Sequence, residues 1–256
     1  MKIGVTGCAG RMGKMLCQAV VEAGLELSGG TERPDSPVIG QELGKGKVFA
    51  DIKDLFAVSD AVLDFTAPAA SVENAKAAAE SGKVLVIGTT GLTETQRAEV
   101  AKCAEKAPIV LAPNMSVGVN LLQALVEKVA AVLDPNYDIE IVEMHHRNKV
   151  DAPSGTALAL GKAAAKGRGE SLDKVACYER HGVIGARPAG EIGFATLRGG
   201  DVVGDHTVIF AGTGERIELT HKASSRAVFA NGAVRAALWA AGQKAGLYSM
   251  RDVLGF

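Results

Sequence analysis

Apolar and polar residues change rhythm near residue 116. Before it, Lys2–Thr6, Leu25–Gly30, Ala61–Phe65, Val84–Ile87 and Ile109–Ala112 are short apolar runs, the pattern of strands buried on both faces. Lys14–Glu22, Ala69–Glu80 and Thr93–Lys106 lie between them with helical spacing. The last of these has Thr93 as N-cap and Gln96 at the capping-box position. Alternating strands and helices with short joins predict a parallel, doubly wound α/β sheet. Gly40–Lys47 is glycine-rich and reads as loop.

After Ser116 the spacing predicts a long helix over Val117–Leu133, a strand over Tyr137–Glu143 and a helix over Gly155–Lys166. Glu191–Arg198, Thr207–Phe210 and Glu215–Lys222 alternate apolar and polar residues as one-faced strands do, with a hairpin turn at Gly212–Gly214. This part reads as an α+β domain with a small antiparallel or mixed sheet. Lys166–Gly190, rich in Gly, Arg and Glu, is expected to be a mobile loop. Val228–Gly242 predicts a final helix, followed by an apolar tail.

The 256 residues suffice for one large domain or two modest ones, and 47% hydrophobic content with 31 glycines suits an α/β protein with tight turns. A net charge of −1 gives no field to recruit nucleic acid or an anionic membrane. Cys8, Cys17, Cys103 and Cys177 are scattered without CxxC or metal-ligand spacing, which predicts a reducing compartment, buried unpaired thiols and no metal site. The opening MKIGVTG carries no basic-then-apolar leader, and no apolar run approaches the roughly 18 residues of a membrane span. A soluble cytoplasmic protein is expected.

The densest chemistry lies in Glu140–Ala157, EIVEMHHRNKVDAPSGTA. His145 can exchange a proton near neutral pH, Lys149 is a positive charge, and Ser154, Gly155 and Thr156 can turn N–H groups and hydroxyls toward an anion. The set predicts a proton donor, a cation and a carboxylate cradle held together. Single polar residues of this kind are more often strand ends and helix caps; their clustering between apolar elements favours a site. His181, His206 and His221 stand alone and read as structural or surface residues.

In the first half, Gly7, Gly10 and Gly13 follow a strand and open a helix, so the backbone can approach a pyrophosphate at the positive helix end. A Walker loop is excluded, since five residues separate the outer glycines and Met15 follows Lys14. Glu32 ends the second strand, where an acid accepts hydrogen bonds from a ribose 2′-OH, and Arg33 can pair with a 2′-phosphate. Acid beside base predicts use of both NADH and NADPH. The strand-end turns Gly88–Gly91 and Ala112–Met115 lie where such sheets place the nicotinamide end of the cofactor.

With these motifs the chain resembles the dihydrodipicolinate reductase family over essentially its whole length. The resemblance rests on GCAGRMG, GTTG, SVGVN at Ser116–Asn120, HHRNKVDAPSGTA, GDHTVIF, GERIELTHKASSR, FANGA and GLYSMRDVLG. It implies a Rossmann-type NAD(P)-binding domain from residues 1–116 plus 227–256, and an inserted α+β domain, 117–226, for substrate binding and tetramer assembly. Gly7, Cys8, Ala9, Gly10, Arg11 and Met12 would hold the pyrophosphate, Glu32 the ribose and Arg33 the phosphate of NADP. Gly88, Thr89, Thr90, Ala112, Pro113, Asn114 and Met115 would line the nicotinamide side, Met115 standing where relatives usually carry an aromatic. His145 matches the acid/base position, Lys149 the second donor, His146 a substrate ligand, and Gly155–Thr156 the carboxylate site. The implied reaction reduces 4-hydroxy-tetrahydrodipicolinate, a cyclic dicarboxylate, in lysine and diaminopimelate biosynthesis, in a homotetramer.

Rivals fit less well. A short-chain dehydrogenase needs Tyr-x-x-x-Lys, which none of Tyr137, Tyr178 and Tyr248 provides. An amino-acid dehydrogenase on a similar two-domain plan, such as an aspartate or homoserine dehydrogenase, stays chemically open; the dicarboxylate cradle and the HHRNK order disfavour it, and an assay for amino-acid oxidation separates the two. A nucleotide-sensing module would have no use for His145 and Lys149.

Overall fold

β1 (Lys2–Thr6) sits inside an eight-stranded sheet in the computed structural model, which describes residues 1–256 throughout. Its neighbours are β2 (Glu26–Thr31) and β5 (Ala61–Asp64). Outward from β5 follow β6 (Val84–Ile87), β7 (Pro108–Leu111) and β13 (Gly246–Tyr248), all parallel. Outward from β2 lie β4 (Gly46–Phe49) and the antiparallel β3 (Glu42–Leu43). The sheet belongs to a unit of Met1–Val117 with Ala227–Phe256; Gly118–Arg226 form a second unit.

The strands run apolar because both faces are covered. Leu63, Val86 and Val110 pack against α1 (Arg11–Glu22) and α8 (Ala227–Ala240). Their sequence neighbours Val62, Leu85 and Ile109 face α2 (Ile52–Val58), α3 (Pro68–Ser81) and α4 (Glu94–Ala104). All six are fully buried, and each such side chain contributes roughly 1.5–3 kcal/mol. The capping box at α4 is formed as the sequence predicts: Thr93 Oγ1 accepts from Gln96 N at 3.2 Å, and Gln96 Oε1 accepts from Thr93 N at 2.9 Å.

Two stretches of the first unit and the exposure of two cysteines depart from expectation. Gly40–Lys47 contains β3 and the start of β4 rather than loop alone. Gly44 turns that hairpin at φ +65°, and a Cβ on Gly46 would stand 2.0 Å from Ser28 O, so these glycines permit strand packing. The apolar tail adds β13 to the sheet edge and ends in α9 (Met250–Leu254). Cys8 and Cys17 are buried as expected, but Cys103 and Cys177 are partly exposed; all four are free thiols.

The second unit holds a mixed five-stranded sheet in the order β12-β11-β8-β10-β9, made of β8 (Asp138–His145), β9 (Ala176–Cys177), β10 (Ile192–Arg198), β11 (Gly204–Ala211) and β12 (Arg216–Ala223). β8 pairs in parallel with β10 and antiparallel with β11. Ile139, Ile141, Val208 and Phe210 pack on α5 (Val117–Val132) and α6 (Gly155–Gly167) through Leu122, Val126, Leu160 and Ala164. Lys166–Gly190 is not all loop, since it holds α7 (Leu172–Val175) and β9. Arg187 ties its far end to β8, donating to Glu140 Oε1 at 2.9 Å, Asp138 Oδ1 at 2.7 Å and Ile139 O at 3.1 Å. No helix is long and apolar enough to cross a membrane.

Candidate active site

The first unit presents a dinucleotide-shaped turn. Gly7 leaves β1 at φ +59°, and a Cβ on Gly13 would lie 2.0 Å from Gly7 O, so only glycine lets α1 start this close to the strand. Gly10 caps α1 without a side-chain bond, and the first turn carries no acid, which leaves the positive helix end to an anion. Arg11 and Met12 begin that helix, and Arg11 is exposed. Cys8 N donates to Thr31 O at 3.2 Å, and Ala9 N donates to Glu32 Oε1 at 2.9 Å, which brings the acid against the glycine turn. A cavity of about 780 Å³ opens there, with Gly7, Glu32, Arg33 and Thr66 in its wall. These features fit a dinucleotide: the first N–H groups of the uncapped α1 face the pyrophosphate position, with an acid and a base at the ribose end.

The later strand ends are built around hydroxyls and close approaches. Thr6 Oγ1 and Thr66 Oγ1 both donate to the fully buried Asp64, at 2.9 and 2.5 Å, and Thr66 N donates to Thr89 Oγ1 at 3.0 Å. Gly88 is held against Phe65, whose ring would lie 2.2 Å from a Cβ there. Thr90 is exposed beside it. After Ala112, which is buried, and the exposed Pro113, Asn114 Oδ1 accepts from Ser116 N at 2.9 Å. Met115 turns its side chain into the core, 1% exposed, and α8 approaches so closely that a Cβ on Gly232 would stand 1.8 Å from Met115 O.

In the second unit the alternation of β8 decides the site. Ile139 and Ile141 face the core, so Glu143 and His145 face the same way two and four residues on. Both are buried. His145 Nδ1 lies 2.6 Å from Glu143 Oε2, and Arg198, at the end of β10, forks onto the same carboxylate at 2.8 and 2.9 Å. Ser154 N donates to Glu143 Oε1 at 2.9 Å. His145 Nε2 is left without a hydrogen-bond partner, and a Cβ on Gly204 would stand 3.0 Å from it.

His206, paired across from Glu143 in the β8–β11 ladder, completes the cluster. Its ring meets His145 edge-on at 5.0 Å, and its Nε2 lies 3.0 Å from Ser154 Oγ. Ser154 is the N-cap of α6: its Oγ also accepts from Ala157 N at 3.1 Å. Ser154 thereby aligns the first helical turn, in which Gly155 faces open space and Thr156 is half-buried. Lys149 Nζ pairs with Asp151 Oδ1 at 2.8 Å, while His146 donates its N–H to Val202 O at 2.7 Å and keeps a buried Nδ1 with no partner.

Burial alone would raise the Glu143 pKa, but the hydrogen bonds from Arg198, His145 and Ser154 outweigh it and hold the carboxyl below its ordinary value. Burial lowers the His145 pKa, with help from Lys149 and Arg198, by more than Glu143 raises it. His206 is pushed down to about 4, by burial first and then by His145. Asp151 is held below the usual carboxylate range by Lys149. The free site at neutral pH is a neutral imidazole donating to a fixed carboxylate, flanked by two cations.

Sequence spacing marked His145, His146, Lys149 and Ser154–Thr156, and the structure brings them into one unit. It missed Glu143 and Arg198, and it set His206 aside as an isolated structural or surface residue although its ring packs on His145. For Glu143 and His206 a signal existed, since each continues the inward-facing alternation of its strand.

A Rossmann-type sheet with an uncapped glycine turn, joined in one chain to a buried acid–imidazole pair, defines a nicotinamide-dependent oxidoreductase. Residues 1–115 match the family profile described as "Dihydrodipicolinate reductase, N-terminus", and residues 118–254 the one described as "Dihydrodipicolinate reductase, C-terminus". The chain belongs to the dihydrodipicolinate reductase family and uses NADH or NADPH. It is 55% identical to the 4-hydroxy-tetrahydrodipicolinate reductase of Rhodopseudomonas palustris (strain BisA53), covering 100% of this chain and 97% of that one. The protein of the same name from Thiobacillus denitrificans is 52% identical, covering 100% and 98%. Among solved structures, the dipicolinate-bound dihydrodipicolinate reductase from Paenisporosarcina sp. TG-14 superposes with a TM-score of 0.82 at 26% identity, covering 97% of each chain.

Proposed function

We infer that this chain reduces 4-hydroxy-tetrahydrodipicolinate to tetrahydrodipicolinate with NADH or NADPH, a step of lysine and diaminopimelate biosynthesis. The relatives carrying that name over their full length support the reaction. The observation that carries the residue assignment is the His145 imidazole, anchored at Nδ1 with Nε2 unpartnered, one short loop before the N-terminus of α6.

The overall change balances in two parts: the ring hydroxyl leaves with a hydrogen of the adjacent ring carbon as water, giving a conjugated cyclic imine, and hydride from NAD(P)H with one proton then reduces that imine and leaves NAD(P)⁺. When bound, the dihydronicotinamide supplies the hydride. His145 Nε2 delivers the proton that neutralises the charge left on the ring, and Lys149 lowers the energy of that charge. Two substrate carboxylates entering the site favour the imidazolium form and so charge the acid only when it is needed. Gly155 and Thr156 take one carboxylate through N–H groups and the helix dipole, with Ser154 setting the turn and His146 contacting the substrate. Gly7–Met12, Glu32 and Arg33 hold the pyrophosphate and adenosine ribose. Gly88–Thr90 and Ala112–Asn114 face the nicotinamide, while Met115, its side chain in the core, contributes there through its backbone alone. In this reading 1–116 plus 227–256 form the cofactor domain, and 117–226 bind substrate and assemble a cytoplasmic homotetramer that needs neither nucleic acid nor membrane.

The test is NAD(P)H oxidation by the purified protein, with the condensation product of pyruvate and aspartate semialdehyde as substrate. Pyridine-2,6-dicarboxylate, a planar mimic of the ring, should compete with that substrate. No turnover, or inhibition competitive only with NADH, would sink the assignment. Sedimentation of the protein as a monomer at assay concentration would remove the tetramer.

A further inference from the structure

His145 is not held by the backbone or by a neutral group but by a carboxylate that is itself gripped on all sides. Glu143 is 1% exposed and takes four hydrogen bonds. They come from His145 Nδ1 at 2.6 Å, Ser154 N at 2.9 Å, and the two Arg198 Nη atoms at 2.8 and 2.9 Å. Arg198 in turn donates to Asp151 O at 2.7 Å and to Leu197 O at 2.6 Å. Both carboxylate oxygens are therefore saturated, and the carboxylate cannot rotate away from the imidazole without leaving the guanidinium or the Ser154 amide unpaired in a buried place.

Three consequences follow from this geometry. An ionised Glu143 accepts only, so the shared proton sits on His145 Nδ1 and the neutral ring presents its lone pair at Nε2. When the ring takes up a second proton, the fixed negative charge beside it favours the imidazolium, and Nε2–H becomes the deliverable proton. The same carboxylate also holds Ser154 N, so the orientation of the acid and the start of α6 share one anchor.

We propose that Glu143, fixed by Arg198, is the positioning residue of the reaction: it sets the tautomer and aim of His145 and ties the acid to the first turn of α6. This rests on the reading of His145 as the acid. Glu143 does not touch the ring substrate in this arrangement; it acts through His145 and Ser154.

The charged and titratable groups facing His145 have opposing effects on its protonation. Glu143, on the same strand, favours the imidazolium. Arg198 from β10 and Lys149 from the loop after β8 oppose it, and His206 from β11 packs edge-on, itself facing His221 of β12. Asp151 balances part of the Lys149 charge at 2.8 Å. Removing Glu143's charge should therefore move the alkaline limb of kcat/KM to lower pH, and removing Arg198's should move it to higher pH.

The experiment compares wild type, Glu143→Gln, His145→Gln and the double variant in the full-length enzyme, with pH profiles and calorimetric NADH affinity. Glu143→Gln should lower kcat by about 10–10³-fold, no more than the loss of the acid itself, with NADH affinity unchanged. Its alkaline limb should move to lower pH, and the strongly deshielded imidazole N–H signal expected of a 2.6 Å bond should vanish from the proton NMR spectrum. In the His145→Gln background, adding Glu143→Gln should cost less than about threefold, because Glu143 then has no acid to aim. Glu143→Asp, which keeps the charge, should hold the limb near its wild-type position.

An unmoved limb, or a loss that adds in full to that of His145→Gln, overturns the proposal while leaving His145 as the acid. Normal turnover by His145→Gln defeats the acid assignment and the proposal with it. If Glu143→Gln does not fold, Arg198→Gln decides: the limb must move to higher pH, and an unmoved limb overturns the proposal.

Discussion

Ser154 is where the fold of the second unit and its candidate chemistry meet, and replacing it by alanine separates two contributions that the structure puts on one oxygen. Its Oγ accepts the Ala157 N–H at 3.1 Å and lies 3.0 Å from His206 Nε2. Loss of a serine N-cap costs about 1 kcal/mol. A histidine nitrogen 3% exposed and newly without a partner costs a further 1–3 kcal/mol or so, since water cannot readily reach it. The sum is roughly 2–4 kcal/mol. At about 2–4 °C per kcal/mol for a chain of 256 residues, thermal unfolding of Ser154→Ala should fall by about 5–15 °C in differential scanning calorimetry. Ser154→Gly keeps most of the capping preference but not the His206 bond, so it should recover only the smaller share. Ser154→Thr, which retains the hydroxyl, should recover most of both. NADH affinity should stay at the wild-type value in all three. An alanine variant melting within about 1 °C of wild type would refute the claim that this hydroxyl is structurally committed.

Cofactor choice should split at the end of β2. Arg33→Ala is expected to weaken NADPH by roughly tenfold to over a hundredfold, equivalent to about 1.5–3 kcal/mol, while weakening NADH less; equal losses by calorimetry would disprove the phosphate contact. Glu32→Ala should weaken NADH more than NADPH. Gly13→Ala should abolish cofactor binding, because its Cβ would have to occupy space 2.0 Å from Gly7 O; NADH titration with unchanged affinity would contradict this. Gly204→Ala crowds the 3.0 Å approach to His145 Nε2 and should slow turnover about tenfold or more with little change in melting temperature, which steady-state kinetics and calorimetry measure together. Acid should weaken the second unit. His206, which binds a proton near pH 6.5 when unfolded but only at about 4 when folded, gives stability that is fully present above pH 6.5 and lost as pH falls toward 4, on the order of 3 kcal/mol. A melting temperature flat from pH 7 to about 4 would contradict this, and Glu143, held low in the fold, adds a loss in the same direction that appears only as pH falls below the ordinary carboxylate range.

Much of the architecture is legible in the sequence because it rests on periodicity. Largely buried parallel strands such as Val84–Ile87 and Pro108–Leu111 read as continuous apolar runs, since α-helices cover both faces. Thr93 and Gln96 announce α4 by a local hydrogen-bond pattern that needs no tertiary partner. The elements that stay hidden are short and depend on their neighbours. β3 has two residues and β13 three, too few for a period, and each forms because an existing sheet edge offers unpaired backbone groups. α7 is a single turn inside a polar segment whose far end Arg187 binds to β8, a contact set by tertiary structure alone.

The candidate site divides along the same line. His145, Lys149 and Ser154 lie within ten residues, so a local reading can gather them. Glu143 and His206 were accessible by a further step: in β8 and β11 the positions facing the core run Ile139, Ile141, Glu143, His145 and Gly204, His206, Val208, Phe210. A carboxylate or an imidazole continuing an inward-facing apolar stripe must find a partner, because an unpaired buried charge is far costlier than an exposed one. Two such stripes on antiparallel neighbours bring their polar ends together, as the pairing of His206 with Glu143 does. Arg198 has no comparable signature. It ends the strand β10, 53 residues after His145, and reaches Glu143 only because β10 runs parallel to β8 in the register that sets Arg198 opposite His145. A one-residue slip would turn that side chain to the other face and leave Glu143 buried with half its hydrogen bonds. The register of a parallel strand pair, which no local spacing encodes, therefore determines whether the imidazole has a charged and fixed partner.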